Sequence, residues 1–386
     1  MNAGHRTRRP GMGSRIRALA ALVILGTVAA CDGSASTGPE ASPSSGESSP
    51  TDSPPPPTPT WTPTAEPGPI TIAFAGDVHF ENQLRPRLDD PATALAPIAP
   101  QLSAADLTVV NLETSIGTSG VREPKRFTFQ APPESLRALA HAGVDVVTMA
   151  NNHAMDYGVG GLADTLAAAA AAASADPPLS VVGVGADADD AFAAAVEDVG
   201  GTRVAVIGAS SADDPTADPT AHWAAADDTA GIAVALEPAP LVEAVQRARA
   251  TADVVVAYLH WGIQGEQCPG SSQAAMARAL ADAGADIVVG THAHAVQGAG
   301  LLGETYVAYG LGNFVWYRQG SDASSSTGVL TLTVDGGRVV DQAWSPARIE
   351  ADGLPRFATG AEAARLVDAF SSQRGCTDLA PVGGGS

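Results

Sequence analysis

Four times in this chain the same transition occurs. An alanine-rich stretch stops, an aspartate opens a valine-rich run, and a residue able to bind metal follows six to eight positions later. Asp106 leads through Leu107-Thr108-Val109-Val110-Asn111-Leu112 to Glu113, and Asp253 leads through Val254–Leu259 to His260. Asp145 leads to Asn151, Asn152 and His153, and Asp286 leads to His292 and His294. At about 3.3 Å per residue each interval spans roughly 20–26 Å, the length of one strand. Valine-rich runs without polar alternation mark parallel strands covered by helices on both faces. The alanine-rich segments 133–142, 162–173, 241–250 and 273–283 supply those helices. Every polar residue that ends such a run therefore collects on one edge of a sheet, where open α/β sheets keep their chemistry. Because the matching is confined to strand entrances, the chain is not read as a duplicated repeat.

A fifth strand, Ile70-Thr71-Ile72-Ala73-Phe74-Ala75, ends in Gly76-Asp77-Val78-His79. Asp and His two apart point the same way at a strand end, and both ligate first-row divalent metals. Further strands are expected at 181–185, 203–208, 305–311 and 328–334. Asp335-Gly336-Gly337 should turn the last of these into 338–343. Residues 209–228 read as a loop, either an active-site rim or disorder, and 361–370 as a terminal helix before a loose tail. The folded domain is placed at 69–350, with the helix and tail at 351–386.

The candidate ligands are Asp77, His79, Glu113, Asn152, His260, His292 and His294, drawn from five strand ends. Asn151-Asn152-His153 taken alone reads equally well as a polar turn capping the next helix. Counting His153, however, five of the eight histidines fall at predicted strand ends of one type. A carboxylate can bridge two cations, and two ions about 3.5–4 Å apart can clamp the attacking and leaving oxygens of a displacement at phosphorus. Imidazole with carboxylate and amide oxygen points to Zn, Mn or Fe rather than Ca or Mg.

These stretches, together with Tyr309-Gly310-Leu311-Gly312-Asn313-Phe314, resemble the CapA proteins of poly-γ-glutamate capsule synthesis, which are similar to calcineurin-like metallophosphatases. The resemblance covers about 70–314 in six ordered motifs. It implies a four-layer α/β/β/α sandwich with a dinuclear site between the sheets. Asp77, His79, Glu113 and His294 would hold one metal; Glu113, Asn152, His260 and His292 would hold the other. His153 matches the non-ligand histidine that stabilises or protonates a leaving group, and Asp156 would fix its tautomer. Phosphatases of this kind normally bridge with Asp, so Glu113 is a departure that bears on phosphatase activity.

Ahead of this domain, residues 1–30 read as an export signal: Arg6, Arg8, Arg9, Arg15 and Arg17 precede the apolar run Ala18–Ala30. Val28-Ala29-Ala30-Cys31 resembles a bacterial lipobox, making Cys31 the lipidation site; a soluble form cleaved after Ala30 is the alternative. The weak twin-arginine pattern leaves the export route open. Residues 31–68 are Ser, Thr, Pro and Gly with scattered acids, an extended spacer with too little apolar surface to fold. An extracytoplasmic, lipid-anchored protein follows, with polymer-synthase membrane proteins as possible partners. Acids outnumber Lys plus Arg by 42 to 21, a balance that sets nucleic acid aside as a partner. Lys125 and Arg126 stand out in so acidic a chain, either as an ordinary surface pair or as a grip on an anionic substrate. Trp261, Trp316 and Tyr317 follow motif residues, as cleft lining or as core. Cys268 and Cys376 remain as a pair in an oxidising compartment, compatible with a disulfide or two free thiols. The expected role is metal-dependent synthesis, export or anchoring of an anionic surface polymer such as poly-γ-glutamate. The alternatives are a phosphoesterase or γ-glutamyl amide hydrolase, and a metal-stabilised scaffold that binds polymer without turnover.

Overall fold

The computed structural model describes residues 67–212, 220–317 and 320–383. The signal segment, Cys31 and the spacer up to residue 66 lie outside the described residues. Among the described residues no helix is long and apolar enough to cross a membrane.

Two sheets form the centre. The larger has the order Pro355–Phe357, Arg338–Ile349, Ser326–Asp335, Ile70–Val78, Leu107–Leu112, Val146–Thr148, Ser180–Val182, and Asn313–Val315 pairs beside the end of Ile70–Val78. Its last four strands are mutually parallel, and Ser326–Asp335 joins them antiparallel. The smaller sheet runs Ala299–Leu302, Thr305–Ala308, Ile287–His292, Val254–Trp261, Thr202–Ser210, Ala195–Val199. Its four inner strands are parallel and both edges are antiparallel.

Side-chain alternation along these strands builds three apolar layers. Ile72, Phe74, Val109 and Val146 of the large sheet meet Val204, Val256, Tyr258 and Val289 of the small one in a core between the sheets. Ala73, Ala75, Val110 and Val147 face the other way, onto Leu136, Leu139 and Leu162 of the helices Glu134–His141 and Gly158–Ala173. On the far side Ala205, Ile207, Val255 and Val288 pack on Leu241, Val245, Met276 and Leu280 of Ala239–Arg249 and Ser271–Ala283. The result is the expected α/β/β/α order of layers, a single α/β domain with both faces of its parallel strands buried.

The entry aspartates have a structural job that the sequence pattern alone did not reveal. Each carboxylate accepts a hydrogen bond from the backbone N–H near the start of the neighbouring parallel strand: Asp106 from Thr71 (2.8 Å), Asp145 from Thr108 (2.7 Å), Asp253 from Arg203 (2.8 Å) and Asp286 from Val255 (2.7 Å). In every pair the aspartate's own N–H donates to the carbonyl of that same residue. This two-point clamp fixes the register at one end of each strand, and so fixes which residues emerge at the other end.

Several elements differ from expectation. The run 181–185 breaks at Gly183, whose φ of 87° belongs to the left-handed region, so only Ser180–Val182 joins the large sheet. Val184–Gly185 instead pairs with Gly231–Ile232. Ala195–Val199 is an edge strand too polar to stand out in the sequence. Beyond residue 350, Pro355–Phe357 continues the large sheet, and helix Gly360–Ser372 lays Phe370 flat on Trp344, with ring centroids 4.4 Å apart. The Cys268–Cys376 disulfide is formed, with Cα atoms 5.8 Å apart.

Candidate metal centre

The parallel strands of both sheets deliver their polar residues to one place. Asp77 comes from the end of Ile70–Val78, Glu113 directly follows Leu107–Leu112, and Asn151, Asn152 and His153 follow Val146–Thr148. His260 is the penultimate residue of Val254–Trp261 in the smaller sheet, His292 ends the neighbouring strand, and His294 lies two residues further on. Close backbone approach makes this possible at Gly76, where a Cβ would sit 1.9 Å from the Gly312 carbonyl oxygen. With no side chain there, the Asp77 N–H donates to that oxygen at 2.9 Å, and Asn313 is brought alongside the ligand set. His292 and His294 both hold positive φ (81° and 51°), a sparsely populated conformation for residues with a Cβ. Such backbone strain concentrates at functional sites.

One ligand atom each from Asp77, Glu113 and His260 lies within 4.8 Å of the others, and all three residues are fully buried. The remaining groups attach to this trio. His260 Nε2 is 2.8 Å from Asn152 Oδ1, 3.0 Å from His292 Nδ1 and 3.7 Å from Glu113 Oε1. His294 Nδ1 is 3.2 Å from Asp77 Oδ2 and 2.7 Å from Asn313 Oδ1. Asn111 donates to Asp77 Oδ1 at 2.7 Å and itself accepts from Asn151. Asn151 also donates to the Leu112 carbonyl and receives the His153 N–H. The asparagines thus orient the ligands.

Six of the seven predicted ligands are linked in this way. His79 is buried against the same wall, but its ring nitrogens face the backbone N–H groups of Glu81 (3.0 Å) and Tyr317 (3.3 Å). Phe129 stacks on the ring at 4.9 Å, and Trp316 and Tyr317 meet it edge-on.

Glu113 carries the clearest chemical demand. Both of its carboxylate oxygens are buried and neither has a hydrogen-bond partner, an arrangement that is costly for an ionised group. Burial, followed by the nearby charge of Asp77, pushes its carboxyl well above the ordinary range. Burial also holds His260 and His79 well below theirs, reinforced by the neighbouring histidines. A set of imidazoles, amide oxygen and carboxylates around a partnerless carboxylate has the donor chemistry of a divalent transition-metal site, because bound cations would supply what Glu113 lacks. The residues therefore fit metal.

His153 sits beside this set. Its Nε2 is 3.7 Å from Glu113 Oε1, and its Nδ1 is 2.6 Å from Asp156 Oδ2, the pairing expected of Asp156. Burial lowers His153 to about 4, outweighing the opposite pull of Asp156. Lys125 does not sit on the surface: its Nζ pairs with Asp156 Oδ1 at 2.7 Å, donates to the Asn152 carbonyl and lies 5.1 Å from the centre of the Trp223 ring. Arg126 is exposed, over the ring of Phe127. Trp261 is core, donating its indole N–H to the Tyr309 carbonyl at 2.7 Å, whereas Trp316 and Tyr317 line the wall at His79. Phe129, packed between His79 and His153 (4.9 and 4.0 Å), escaped sequence reasoning. The only signal for it was an aromatic residue close to Lys125 in a segment without periodicity.

Over residues 71–318 the sequence matches the family described as Bacterial capsule synthesis protein PGA_cap. It is 32% identical over 222 residues to the PGA biosynthesis protein CapA of Bacillus subtilis (strain 168), covering 57% of this chain and 55% of that protein. To the capsule biosynthesis protein CapA of Bacillus anthracis it is 29% identical over 257 residues, covering 64% and 60%. The chain thus spans little more than half the length of these curated relatives. Among solved structures it is similar to a novel phosphatase of Mycoplasma pneumoniae, at a TM-score of 0.45 and 14% identity over 78% of this chain and 98% of that one. All seven predicted ligands, His153 and Asp156 fall inside the matched residues, and the chain belongs to the bacterial capsule synthesis protein PGA_cap family.

Proposed function

We propose that this protein is a CapA-like, metal-dependent participant in the synthesis, export or anchoring of an anionic surface polymer, poly-γ-glutamate being the representative case. The observation that carries the reading is Glu113, a buried carboxylate with both oxygens unpartnered amid Asp77, Asn152, His260, His292 and His294. Two divalent ions, Mn, Zn or Fe, would satisfy it. Asp77, Glu113 and His294 would hold one, joined by His79 once its ring turns from the Glu81 and Tyr317 amides, and Glu113, Asn152, His260 and His292 the other. When bound, such ions neutralise an anionic substrate and polarise its phosphoryl or carbonyl oxygen.

A hydrolytic use of the site, on a phosphoester or a γ-glutamyl amide, is favoured by His153. That residue is not needed to hold metal, yet its Nε2 lies against Glu113 while Asp156 anchors its Nδ1. An imidazole so placed can take a proton from water at Nε2 and, once protonated, hand it to a leaving group. A scaffold that only binds polymer would have no use for this dyad. The acidic composition favours a local cationic pocket over a broad polyanion-binding face, and nucleic acid is not among the proposed partners. In this reading Cys31 carries a lipid, and the spacer holds the domain outside the cytoplasmic membrane near polymer-synthase membrane proteins.

The test is metal content by elemental analysis, together with hydrolysis of γ-glutamyl oligomers, a phosphodiester and a phosphomonoester, by wild type and His153→Ala. Two transition-metal ions per chain in both proteins, with turnover lost only in the variant, are expected. Absence of bound metal from freshly purified wild type would overturn metal dependence, and equal turnover in the two proteins would overturn the role of His153.

A further inference from the structure

The segment from Glu123 to Phe129 is a strap laid across the His153–Asp156 pair. Its start is tied down by the Glu123 N–H donating to the Asp156 carbonyl at 2.8 Å, and its end by the Phe129 carbonyl accepting from the Ser115 N–H at 3.2 Å. Between these ties it supplies three contacts to the dyad. Lys125 Nζ pairs with Asp156 Oδ1, the Phe129 N–H donates to Asp156 Oδ2, and the Phe129 ring stacks on the His153 imidazole at 4.0 Å and 17°. Lys125 also donates to the backbone carbonyl of Asn152, so one ammonium touches both the dyad and the residue next to it in sequence.

From this geometry we infer that Lys125 and Phe129 are positioning residues that hold His153 as its Nδ1–H tautomer with Nε2 turned toward Glu113. Asp156 is fully buried and has two oxygens to aim. Lys125 claims one oxygen, so the other is left to accept from Phe129 N–H and His153 Nδ1 together. The same oxygen already accepts from the Phe129 N–H, so in its bond with His153 it accepts again, from Nδ1–H, and Nε2 is the nitrogen turned toward Glu113. Phe129 then blocks rotation of the ring out of that plane. Lys125 thereby has a role other than gripping substrate: with a side-chain exposure of 5% and its Nζ 2.7 Å from Asp156 Oδ1, it acts through His153. The inference rests on the reading of His153 as the proton-carrying group.

The experiment is nitrogen-15 NMR of the imidazoles in the zinc-loaded full chain, with His153 assigned from His153→Gln. It is run on wild type, Lys125→Met and Lys125→Arg, and zinc is measured on each sample. Wild type and Lys125→Arg should show His153 as a single Nδ1–H tautomer. Lys125→Met should lose that pattern and keep its zinc, and any hydrolysis should fall in kcat with KM unchanged. Lys125→Ser lets water reach the freed Asp156 oxygen, and it takes the place of Lys125→Met if the latter does not fold. Retention of the wild-type pattern in a folded Met or Ser variant overturns the inference, as does loss of zinc in step with the pattern, which would make Lys125 a structural prop. If no substrate is turned over while the tautomer shifts as described, the hydrolytic reading fails and the positioning role stands.

Discussion

Glu113 is costly in its place, with both carboxylate oxygens buried and without a hydrogen-bond partner. A buried carboxylate with no donor within reach costs on the order of 1–3 kcal/mol, and more when ionised. Under the proposed metal-binding reading, the cost returns when metal is stripped away. Glu113→Gln is therefore expected to behave oppositely in two states. In chelator-treated protein it should raise the unfolding midpoint by an amount equivalent to about 1–3 kcal/mol, because the penalty of burying an unpartnered ionisable carboxyl is gone. In metal-supplemented protein it should lower the midpoint relative to wild type if Glu113 is the proposed bridging ligand, because that ligand is lost. Paired thermal melts with and without chelator decide it, and a midpoint that falls in both states would mean that Glu113 is held by contacts other than metal. At this scale the sequence was informative about which residues converge, since ligand types ending Asp-led runs left little freedom. It said little about orientation. Asn111 directing Asp77, and backbone amides facing His79, depend on neighbours far away in the chain.

Four strands of the parallel core, those opened by Asp106, Asp145, Asp253 and Asp286, are pinned at one end by a carboxylate clamp and lead to candidate ligands at the other. The clamps are not equivalent. The hydroxyl and N–H of Thr71 hold the Asp106 carboxyl below its ordinary value, and hydrogen bonds from Arg203 do the same for Asp253. Burial pushes Asp145 and Asp286 the other way, even though each accepts a strand N–H. A carboxyl with a depressed folded-state value contributes stability that is complete above its unfolded value and is lost as pH falls through the folded one. Asp106→Asn should therefore flatten the acid limb of stability. Between pH 6 and pH 3 the urea midpoint of wild type should fall further than that of the variant; equal falls would show that the Thr71 bonds do not discriminate the ionised form. Helices and parallel strands were legible because alanine-rich stretches and unbroken valine runs each imply one kind of element. The Ala195–Val199 edge and the Glu123–Phe129 strap were not, because neither has a period. One is held by its neighbour in the sheet, and the other by Asp156 and Ser115.

Over the whole molecule, the described chain after residue 66 closes on itself. Helix Gly360–Ser372 caps the core between the sheets through Phe370, Ala380 exchanges backbone hydrogen bonds with Leu301, and Cys376 is bonded to Cys268. A cross-link over a separation of 108 residues restricts the unfolded chain substantially. Its removal in Cys376→Ser should cost about 2–4 kcal/mol, read as a lower denaturant midpoint with an m-value no smaller than that of wild type, because the released unfolded chain exposes more surface. A smaller m-value or a second transition would instead indicate that the C-terminal segment unfolds separately. This closure was only partly visible beforehand: the two cysteines were an evident pair, whereas the stacking of Phe370 on Trp344 depends on a long antiparallel hairpin whose full extent, Ser326–Asp335 with Arg338–Ile349, exceeds its apolar run.

The same bond has a topological meaning. Residues 268–376 form a covalent ring, and His292, His294 and Asn313 all lie on it, whereas Asp77, Glu113, Asn152 and His260 lie on the chain before it. A single peptide-bond scission anywhere in that ring opens it without releasing a fragment. The nicked molecule would remain one covalent unit with every ligand-bearing segment attached, so outside a reducing compartment the site could survive proteolytic damage that would otherwise separate its two halves.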